Sequence, residues 1–252
     1  MQKFGIDISK WQSGFDFNKA LQEGVEFVIL RGAYAMSKDK CFENFYKQCK
    51  SLNIPVGVYH YTMAETVDEA RDEANFMLNI LKGKQFEYPI WLDVEDKVQK
   101  TLGKDLLTQI ITTYLDILGG AGYYVGIYST YLYLRDYAHI DMLDKYDKWI
   151  AQWSTRNTCK KPYSMWQFGG EANKIRTNKV AGVTCDQNYA YIDYPAIMKK
   201  AGLNGFTKGK SIDELAREVI AGYWGTGKNR KDRLTEAGYD YNAVQKRVNE
   251  II

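Results

Sequence analysis

The segment Pro89-Ile90-Trp91-Leu92-Asp93-Val94-Glu95 combines a short apolar run with two carboxylates at its end. The apolar run predicts a buried β-strand, because strands covered on both faces read as continuous hydrophobic segments. Alternate side chains of a strand point to one face, so Asp93 and Glu95 should lie together, with α-carbons roughly 6–7 Å apart. Two poorly hydrated carboxyls repel each other, which raises the pKa of at least one. Such a pair suits glycoside hydrolysis, which needs one protonated and one ionised carboxyl.

The composition is that of a globular protein large enough for one barrel, with or without a small extra module. The chain has 252 residues, of which 45% are hydrophobic and 26% are charged. Its net charge is only +3 and its basic residues are scattered among acids, so no nucleic-acid partner is expected. No stretch approaches the roughly 18 apolar residues of a membrane helix, so no membrane insertion is expected. The aromatic content of 14% supplies platforms for sugar faces as well as core residues.

The four cysteines, Cys41, Cys49, Cys159 and Cys185, show no metal-binding spacing, and the chain has only two histidines. We therefore expect no metal, no cofactor and four free thiols, which fits a reducing cytosol. The N-terminus enters a predicted strand at once and shows no apolar signal core. The expected location is therefore the cytoplasm, and a substrate outside the cell would require another component to let the protein out.

Eight segments read as strands, and amphipathic stretches separate the first five. The strands are predicted at 4–9, 27–32, 55–61, 89–95, 124–129, 148–153, 164–169 and 185–191. Helices are predicted near 16–23, 42–52, 67–82 and 106–120, with a further turn or two within 130–143. The later linkers, 154–163 and 170–184, are polar and lack helical periodicity. Five β-α units followed by three strands predict an α/β fold, an irregular TIM-like barrel, over residues 1–203.

The rest of the chain reads as a small helical unit. A linker at 204–210 precedes the unit, which spans 211–252. Ser211 and Glu214 form a capping box for a first helix, a second helix is expected near 230–237, and Asp240 can cap a third. Three short helices make a minimal bundle, near the lower size limit for independent folding. A unit this small is more typical of binding than of chemistry.

Two further acids lie at predicted strand ends. Asp7 is late in the first strand and Asp186 opens the eighth. The first and last strands are neighbours where a barrel closes, so these acids should meet at the seam and face Asp93 and Glu95 across the mouth. Any one of the four alone is more often structural than catalytic. Together they favour carbohydrate hydrolysis.

Other side chains at strand ends are candidate substrate contacts. Tyr59 and Tyr61 share a face at the end of the third strand, while His60 points the other way and should be packed and satisfied. Arg31 ends the second strand, where it would either keep a site acid ionised or form an ordinary salt bridge. Trp91 and Trp149 lie deeper and are expected in the core. The remaining groove candidates are Tyr128, Trp153 and Gln167.

Six motifs occur in a fixed order along the chain: Asp7-Ile-Ser-Lys-Trp-Gln, Gly57-Val-Tyr-His-Tyr, Pro89-Ile-Trp-Leu-Asp-Val-Glu, Gly126-Ile-Tyr-Ser, Trp166-Gln-Phe and Asp186-Gln-Asn. Together they resemble glycoside hydrolase family 25, the muramidases that include many phage and bacterial lysozymes. The resemblance covers residues 1 to about 200. It implies the same irregular barrel and cleavage of the β-1,4 bond from N-acetylmuramic acid to N-acetylglucosamine in peptidoglycan.

The resemblance also implies roles for the four acids. Glu95 matches the acid that protonates the leaving oxygen, and Asp93 matches the neighbouring carboxylate that stabilises charge on the reacting sugar. Asp7 and Asp186 match the other two acids of the groove, which either orient the substrate or tune Glu95. Retention of configuration is usual in the family. Its nucleophile would be either a carboxylate at roughly 5–5.5 Å from the acid or the acetamido group of the substrate.

The tail has its own resemblance, carried by Ile212-Asp-Glu-Leu-Ala-Arg-Glu-Val-Ile, Gly222-Tyr-Trp-Gly-Thr-Gly, Arg230-Lys-Asp-Arg-Leu and Ala237-Gly-Tyr-Asp-Tyr-Asn-Ala-Val-Gln. It is similar to the choline-independent cell-wall-binding repeat of some phage lysozymes, which implies binding to the disaccharide-peptide unit. For Trp224 and Tyr239, filling a tiny core is an equal alternative. A single copy gains little avidity unless chains associate, so a homo-oligomer formed through the tail stays open. The candidate wall contacts are Tyr223, Trp224, Arg233, Tyr239 and Tyr241.

These observations lead to the hypothesis of an endolysin that acts on Gram-positive peptidoglycan and is targeted by its tail. A non-hydrolytic, lectin-like wall-binding protein is the alternative from another class. A bacterial autolysin, or another N-acetylhexosaminidase such as a chitinase, is the alternative among enzymes. The longer run of spaced aspartates usual before a chitinase glutamate is absent before Glu95.

Overall fold

The computed structural model describes residues 2–252, which divide into two compact units. The first unit ends at Thr207 and the second covers Lys208–Ile252. Residues 204–207, expected in the linker, therefore belong to the first unit. The reason is Asn204, which is buried there, accepts from the Tyr124 amide at 2.7 Å and donates to the Tyr88 carbonyl at 2.8 Å.

The strands and helices alternate through the first half of the chain. The strands are β1 (Lys3–Ile8), β2 (Phe27–Tyr34), β3 (Ser37–Lys38), β4 (Val56–Tyr61), β5 (Ile90–Asp93), β6 (Val125–Ser129), β7 (Asp147–Ala151), β8 (Met165–Gly169), β9 (Lys179–Val180), β10 (Val183–Thr184) and β11 (Asp186–Ala190). The helices are α1 (Phe17–Gln22), α2 (Phe42–Ser51), α3 (Val67–Leu81), α4 (Lys104–Gly120), α5 (Tyr131–Tyr137), α6 (Tyr194–Ala201), α7 (Ile212–Ile220), α8 (Gly227–Glu236) and α9 (Tyr241–Ile251).

Eight of these strands close into a barrel, which confirms the predicted fold class. The neighbours run in the order β1, β11, β8, β7, β6, β5, β4, β2, and β2 pairs again with β1. All of these pairs are parallel except the two made by β11, which is antiparallel to both β1 and β8. The eight predicted strands all form.

The reversed direction of β11 decides where its first residue lies. In an antiparallel strand the N-terminal end lies beside the carboxyl ends of its neighbours. Asp186, at the start of β11, is therefore at the same mouth as Asp7 near the end of β1, and the two are direct register partners. A parallel strand in this place would have put Asp186 at the opposite end of the barrel.

Several element boundaries differ from the prediction. β5 ends at Asp93 and β7 at Ala151, two residues early in each case, so Glu95 and Trp153 lie in loops at the mouth. Helix α6 was not predicted, although Asp193 caps its start and Pro195 lies in its first turn. The short strand pairs β2–β3 and β9–β10 were also not predicted, because a two-residue strand is too short to show an alternation of apolar and polar residues.

Aromatic rings fill the barrel interior. Trp91 and Trp149 pack edge to face there at 5.7 Å, and Tyr194 from α6 packs against Trp91 at 6.1 Å. A side chain at Gly126 would overlap the Trp91 ring, so this glycine makes room for the indole. Both tryptophans are buried, which confirms their predicted core position.

Helix starts follow the predicted caps. The Thr66 side chain accepts from the Glu69 amide at the start of α3, and Ser211 does the same for Glu214 at the start of α7. Asp240 caps α9, while α8 begins at Gly227, three residues before its predicted start.

No helix within residues 2–252 is long and apolar enough to span a bilayer. The core of the second unit contains Leu215, Ala216, Val219, Leu234, Val244 and Val248.

Candidate active site

The strand ends at one mouth of the barrel enclose a cavity of about 150 Å³. All four predicted acids line this cavity, and so do five of the six predicted groove residues. The sixth, Trp153, does not line the cavity, but it donates a hydrogen bond to Gln167, which does. Strand alternation explains why Asp93 and Glu95 face the same space even though β5 ends between them. The lining residues are Asp7, Arg31, Tyr59, Tyr61, Asp93, Glu95, Tyr128, Trp149, Gln167 and Asp186.

Gln167 connects three of the predicted site residues. Its Nε2 donates to Asp7 Oδ2 at 3.0 Å, and its Oε1 accepts from the Tyr128 hydroxyl and from Trp153 Nε1, each at 3.0 Å. The side chain is buried, so water competes little for these bonds. Gln167 therefore orients an acid and two aromatic rings at once.

Asp7 is a buried carboxylate held by two amides. In addition to the bond from Gln167, Asn188 Nδ2 donates to Asp7 Oδ2 at 2.8 Å. Asn188 is itself oriented by Trp149, whose Nε1 donates to Asn188 Oδ1 at 2.8 Å. Burial raises the pKa of Asp7 to about 6, and the two amide donors limit that rise because they stabilise the ionised form.

Asp186 faces Asp7 and holds its proton more strongly. Burial raises the pKa of Asp186 to about 8, with further contributions from the negative charges of Asp7, Glu95 and Glu171. At neutral pH the Asp7–Asp186 pair therefore carries close to one negative charge rather than two.

Asp93 and Glu95 differ in their access to solvent. Asp93 is buried, and its Oδ1 has no hydrogen-bond partner among residues 2–252. Burial, then the charges of Glu95 and Asp7, raise the pKa of Asp93 well above its ordinary range, while Arg31 opposes this rise. Glu95 is exposed at the mouth, yet nearby protein removes part of its hydration, and this together with Asp7 and Asp96 raises its pKa.

Arg31 combines the two roles considered for it from the sequence, an ordinary salt bridge and a positive charge beside a site acid. Its Nε pairs with Asp39 Oδ2 at 2.8 Å, and both side chains are buried. It also lines the acid cavity, where its charge opposes the rise in the pKa of Asp93. One guanidinium thus closes a structural ion pair and provides positive charge beside the acids.

Tyrosines form one wall of the mouth. Tyr59 packs edge to face on Trp149 at 6.3 Å. Tyr61 donates from its hydroxyl to Asp96 Oδ2 at 2.9 Å and stacks on Tyr34 at 4.9 Å. These contacts fix both predicted tyrosines in place beside the cavity.

His60 points away from the mouth, as predicted. Its Nδ1 lies 2.8 Å from the Tyr114 hydroxyl and its Nε2 lies 2.9 Å from the Ala35 carbonyl oxygen. Burial lowers the pKa of His60 to about 4, so the ring is neutral at physiological pH. It is a packed, satisfied side chain.

Three residues of the mouth were not singled out for it from the sequence. Asn188 holds Asp7, and its position two residues after Asp186 on one strand was a signal that both share a face. Trp149 is a core residue that also lines the cavity. Gly170 had no sequence signal. A Cβ there would overlap the Asp186 carboxyl and lie 2.6 Å from Trp153 Cζ2.

The second unit contains an aromatic and basic cluster. Trp224 and Tyr239 pack edge to face at 6.0 Å, and Arg233 lies over the Trp224 ring at 5.6 Å. Trp224, Tyr239 and Tyr241 are partly buried against the helical core, so they fill the core and still expose an edge. Tyr223 is 70% exposed.

No group of three or more His, Cys, Asp or Glu within residues 2–252 is arranged to hold a metal ion. All four cysteines are free thiols in this part of the chain. The polar groups at the mouth are therefore carboxyls, amides, hydroxyls and one guanidinium. A closed α/β barrel with four acids and flanking aromatic rings at one mouth defines a glycoside hydrolase.

Comparison with known proteins identifies the particular family. The glycosyl hydrolases family 25 profile matches residues 6–175, and the chain belongs to this family, which makes it an enzyme of the lysozyme type. A second match, to the CW_7 repeat, covers residues 213–252.

Three relatives illustrate the similarity. The chain is 29% identical to the lysozyme of Streptococcus phage Cp-7 over 98% of this chain and 69% of that protein. It is 23% identical to the autolytic lysozyme of Clostridium acetobutylicum, covering 98% of this chain and 67% of that one. The modular autolysin LytC of Streptococcus pneumoniae, solved with a synthetic peptidoglycan ligand, superposes with a TM-score of 0.66 at 28% identity. That match covers 75% of this chain and 47% of LytC, so the chain spans about half the length of that autolysin.

Proposed function

We propose that this enzyme hydrolyses the β-1,4 bond between N-acetylmuramic acid and N-acetylglucosamine in Gram-positive peptidoglycan. The observation that carries the proposal is the meeting of Asp7, Asp93, Glu95 and Asp186 around one cavity at the barrel mouth. Similarity to a phage lysozyme and to an autolytic lysozyme supports peptidoglycan as the substrate.

Glu95 is the proposed general acid. It is the most exposed of the four carboxyls, so it can reach the glycosidic oxygen of a polymer lying across the mouth. Its raised pKa keeps a larger fraction protonated near neutral pH, as an acid catalyst requires. On proton transfer to the leaving oxygen, the bond to the anomeric carbon breaks and positive charge develops on the sugar ring. Water finally adds to the anomeric carbon and returns a proton to the Glu95 carboxylate.

Two of the other three acids are proposed to stabilise that positive charge. Raised pKa values at Asp7, Asp93 and Asp186 mean that negative charge is crowded and poorly hydrated there. An oxocarbenium-like sugar entering this space relieves the repulsion, so the site favours the transition state over the neutral substrate. Asp93 and Asp7 are the proposed charge stabilisers, and Asp186 is the proposed proton-bearing partner of Asp7.

The aromatic and polar residues of the mouth are proposed to bind the glycan. Tyr59, Tyr61 and Tyr128 offer ring faces and hydroxyls beside the acids, and Trp153 is 40% exposed next to them. Gln167 and Arg31 are proposed to hold the rings and acids in place. A sugar lying against these rings would present its linkage to Glu95.

The second unit is proposed to hold the enzyme on the cell wall. The CW_7 match and the cluster of Tyr223, Trp224, Arg233, Tyr239 and Tyr241 support this role. The proposed setting is a phage endolysin that stays in the host cytoplasm until lysis, which the phage lysozyme similarity and the four free thiols support. Association of two chains through this unit would raise the avidity of a single repeat.

The deciding experiment is digestion of purified Gram-positive peptidoglycan, with borohydride reduction of the released ends and mass spectrometry. Fragments ending in reduced N-acetylmuramic acid are expected. Ends of reduced N-acetylglucosamine would instead mean a glucosaminidase. Binding to the wall without any release of ends would mean a lectin-like protein, and it would overturn the proposed activity.

A further inference from the structure

A second depression of about 350 Å³ lies beside the acid cavity, and we name it the basic groove. Its aromatic residues are solvent-accessible, since Trp11 is 75% and Tyr34 is 44% exposed. Aromatic rings that line a concave site together with a few polar groups are typical of ligand-binding sites. The lining residues are Lys10, Trp11, Arg31, Tyr34, Ser37, Lys38, Asp39 and Lys40.

The basic groove has an excess of unpaired positive charge. Arg31 pairs with Asp39 at 2.8 Å and Lys38 pairs with Glu43 at 2.5 Å. Lys10 and Lys40 have no carboxylate within 4.0 Å among residues 2–252. Two free ammonium groups therefore face solvent beside exposed rings, in contrast to the four acids of the neighbouring cavity.

The backbone holds the Trp11 side of the groove rigidly. Trp11 lies in the short helical turn Lys10–Gln12, where Ser9 and Gln12 form a capping box. The Lys10 amide also donates to Asp39 Oδ2 at 3.1 Å, which ties the turn to the buried Arg31–Asp39 pair. The exposed indole thus sits on a fixed support, and Lys10 Nζ lies 5.0 Å from its ring.

The basic groove is continuous with the acid cavity. Arg31 lines both depressions. Tyr34, which lines the groove, stacks at 4.9 Å on Tyr61, which lines the cavity. A ligand with its reacting part at the acids can therefore extend into the groove without leaving the protein surface.

We propose that the basic groove is a subsite for the anionic stem peptide of peptidoglycan, with Lys10 and Lys40 binding its free carboxylates and Trp11 covering its apolar part. The inference rests on the proposed function and deepens it. The stem peptide branches from the muramic acid at the scissile bond, so the glycan that occupies the acid cavity brings carboxylates to the adjacent surface. Charge complementarity at such a rim steers and orients the substrate.

The test compares two substrates, one that carries the stem peptide and one that keeps only the lactyl carboxylate in its place. One is peptidoglycan freed of teichoic acid, and the other is the same glycan after an amidase has removed the peptides. In the full-length enzyme, the double variant Lys10→Gln/Lys40→Gln should lose about fivefold in kcat/KM on the peptide-bearing substrate, mainly through KM, as expected for two exposed ion pairs. On the stripped glycan it should match the wild type. The loss should shrink at about 0.5 M salt because exposed charges are screened.

A matched control removes the same charge elsewhere. Lys47 on α2 and Lys82 after α3 are exposed and lie outside the groove lining, so Lys47→Gln/Lys82→Gln should leave both substrates unaffected. Three results for the Lys10→Gln/Lys40→Gln variant would each overturn the proposed subsite. The first is an equal loss of kcat/KM on both substrates, and the second is no loss on either. The third is a loss that appears only when teichoic acid is left on the peptidoglycan. Failure of the wild type to release ends from either substrate would overturn the proposed function itself, a result distinct from the other three.

Discussion

Asp7 and Asp186 lie directly opposite each other where the antiparallel strands β1 and β11 close the barrel. Like charges in direct cross-strand register destabilise a sheet, and burial makes the repulsion stronger. The protein accommodates the pair because Gln167 and Asn188 donate to Asp7, while the pKa of Asp186 rises to about 8. The seam of the barrel thus also holds two neighbouring carboxyls whose pKa values are both raised.

Asp186→Asn should make the barrel more stable at high pH. A carboxyl whose pKa is higher in the folded state than its ordinary value of 3.8 favours folding while protonated. That stability is present below about pH 4 and is lost as the pH rises towards the folded-state pKa of about 8. The variant should therefore exceed the wild type by about 1–3 kcal/mol at pH 8, after allowance for coupling and partial exposure, and should match it near pH 4.

Urea unfolding at pH 4, 6 and 8 measures this difference. Asp72→Asn on the exposed face of α3 is the control and should follow the wild type at every pH. If the difference in free energy of unfolding between Asp186→Asn and the wild type is the same at all three pH values, Asp186 does not bind its proton more tightly in the folded state.

Glu95→Gln should abolish hydrolysis while keeping the fold. The amide has nearly the same shape but cannot deliver a proton, and general acid catalysis typically contributes about 10²–10⁴-fold. The rate at which reducing ends are released should decrease by about 10²–10⁴-fold, whereas binding to intact walls should be unchanged. Glu65→Gln, an exposed change just after β4, is the control and should remain active. Substantial activity in Glu95→Gln would assign the acid to another carboxyl.

Gly170→Ala should disturb the site without a change in charge. The added methyl would overlap the Asp186 carboxyl and press on the Trp153 ring, so one of the two must move. We expect kcat/KM to fall about tenfold or more, because small displacements of catalytic groups are costly. Gly120→Ala at the end of α4, where a methyl meets no atom within 4 Å, should retain wild-type rates. Equal rates for the two variants would show that Gly170 is not needed for the arrangement of the site.

Tyr223→Ala should weaken wall binding and leave hydrolysis of short soluble fragments unchanged. Tyr223 is 70% exposed, so its removal should take away a contact surface without opening the helical core. A loss of about five- to tenfold in affinity for purified walls is expected for one exposed aromatic contact. Ile252→Ala, with a side chain that is 87% exposed, is the control in the same pull-down assay. Unchanged binding in Tyr223→Ala would remove this residue from the proposed wall contacts.

Much of the architecture is readable from local pattern. The alternation of apolar runs and amphipathic stretches predicts the eight barrel strands, and the caps at Thr66, Ser211 and Asp240 mark helix starts correctly. These signals work because strand burial, helix amphipathicity and capping each depend on a few neighbouring residues. The same logic placed Asp93 and Glu95 on one face, and both line the cavity.

Other features depend on contacts between distant residues. The direction of β11 sets the Asp7–Asp186 register, and Tyr194 from α6 packs against Trp91 in the barrel interior. Gly170 acquires its role only because Asp186 and Trp153 approach it from other segments. Strand direction, ring packing and the loss of hydration that raises a pKa are properties of the assembled barrel. The residue types and their spacing were therefore enough to predict a carbohydrate-cleaving barrel, whereas the pairing and protonation of its acids required the folded chain.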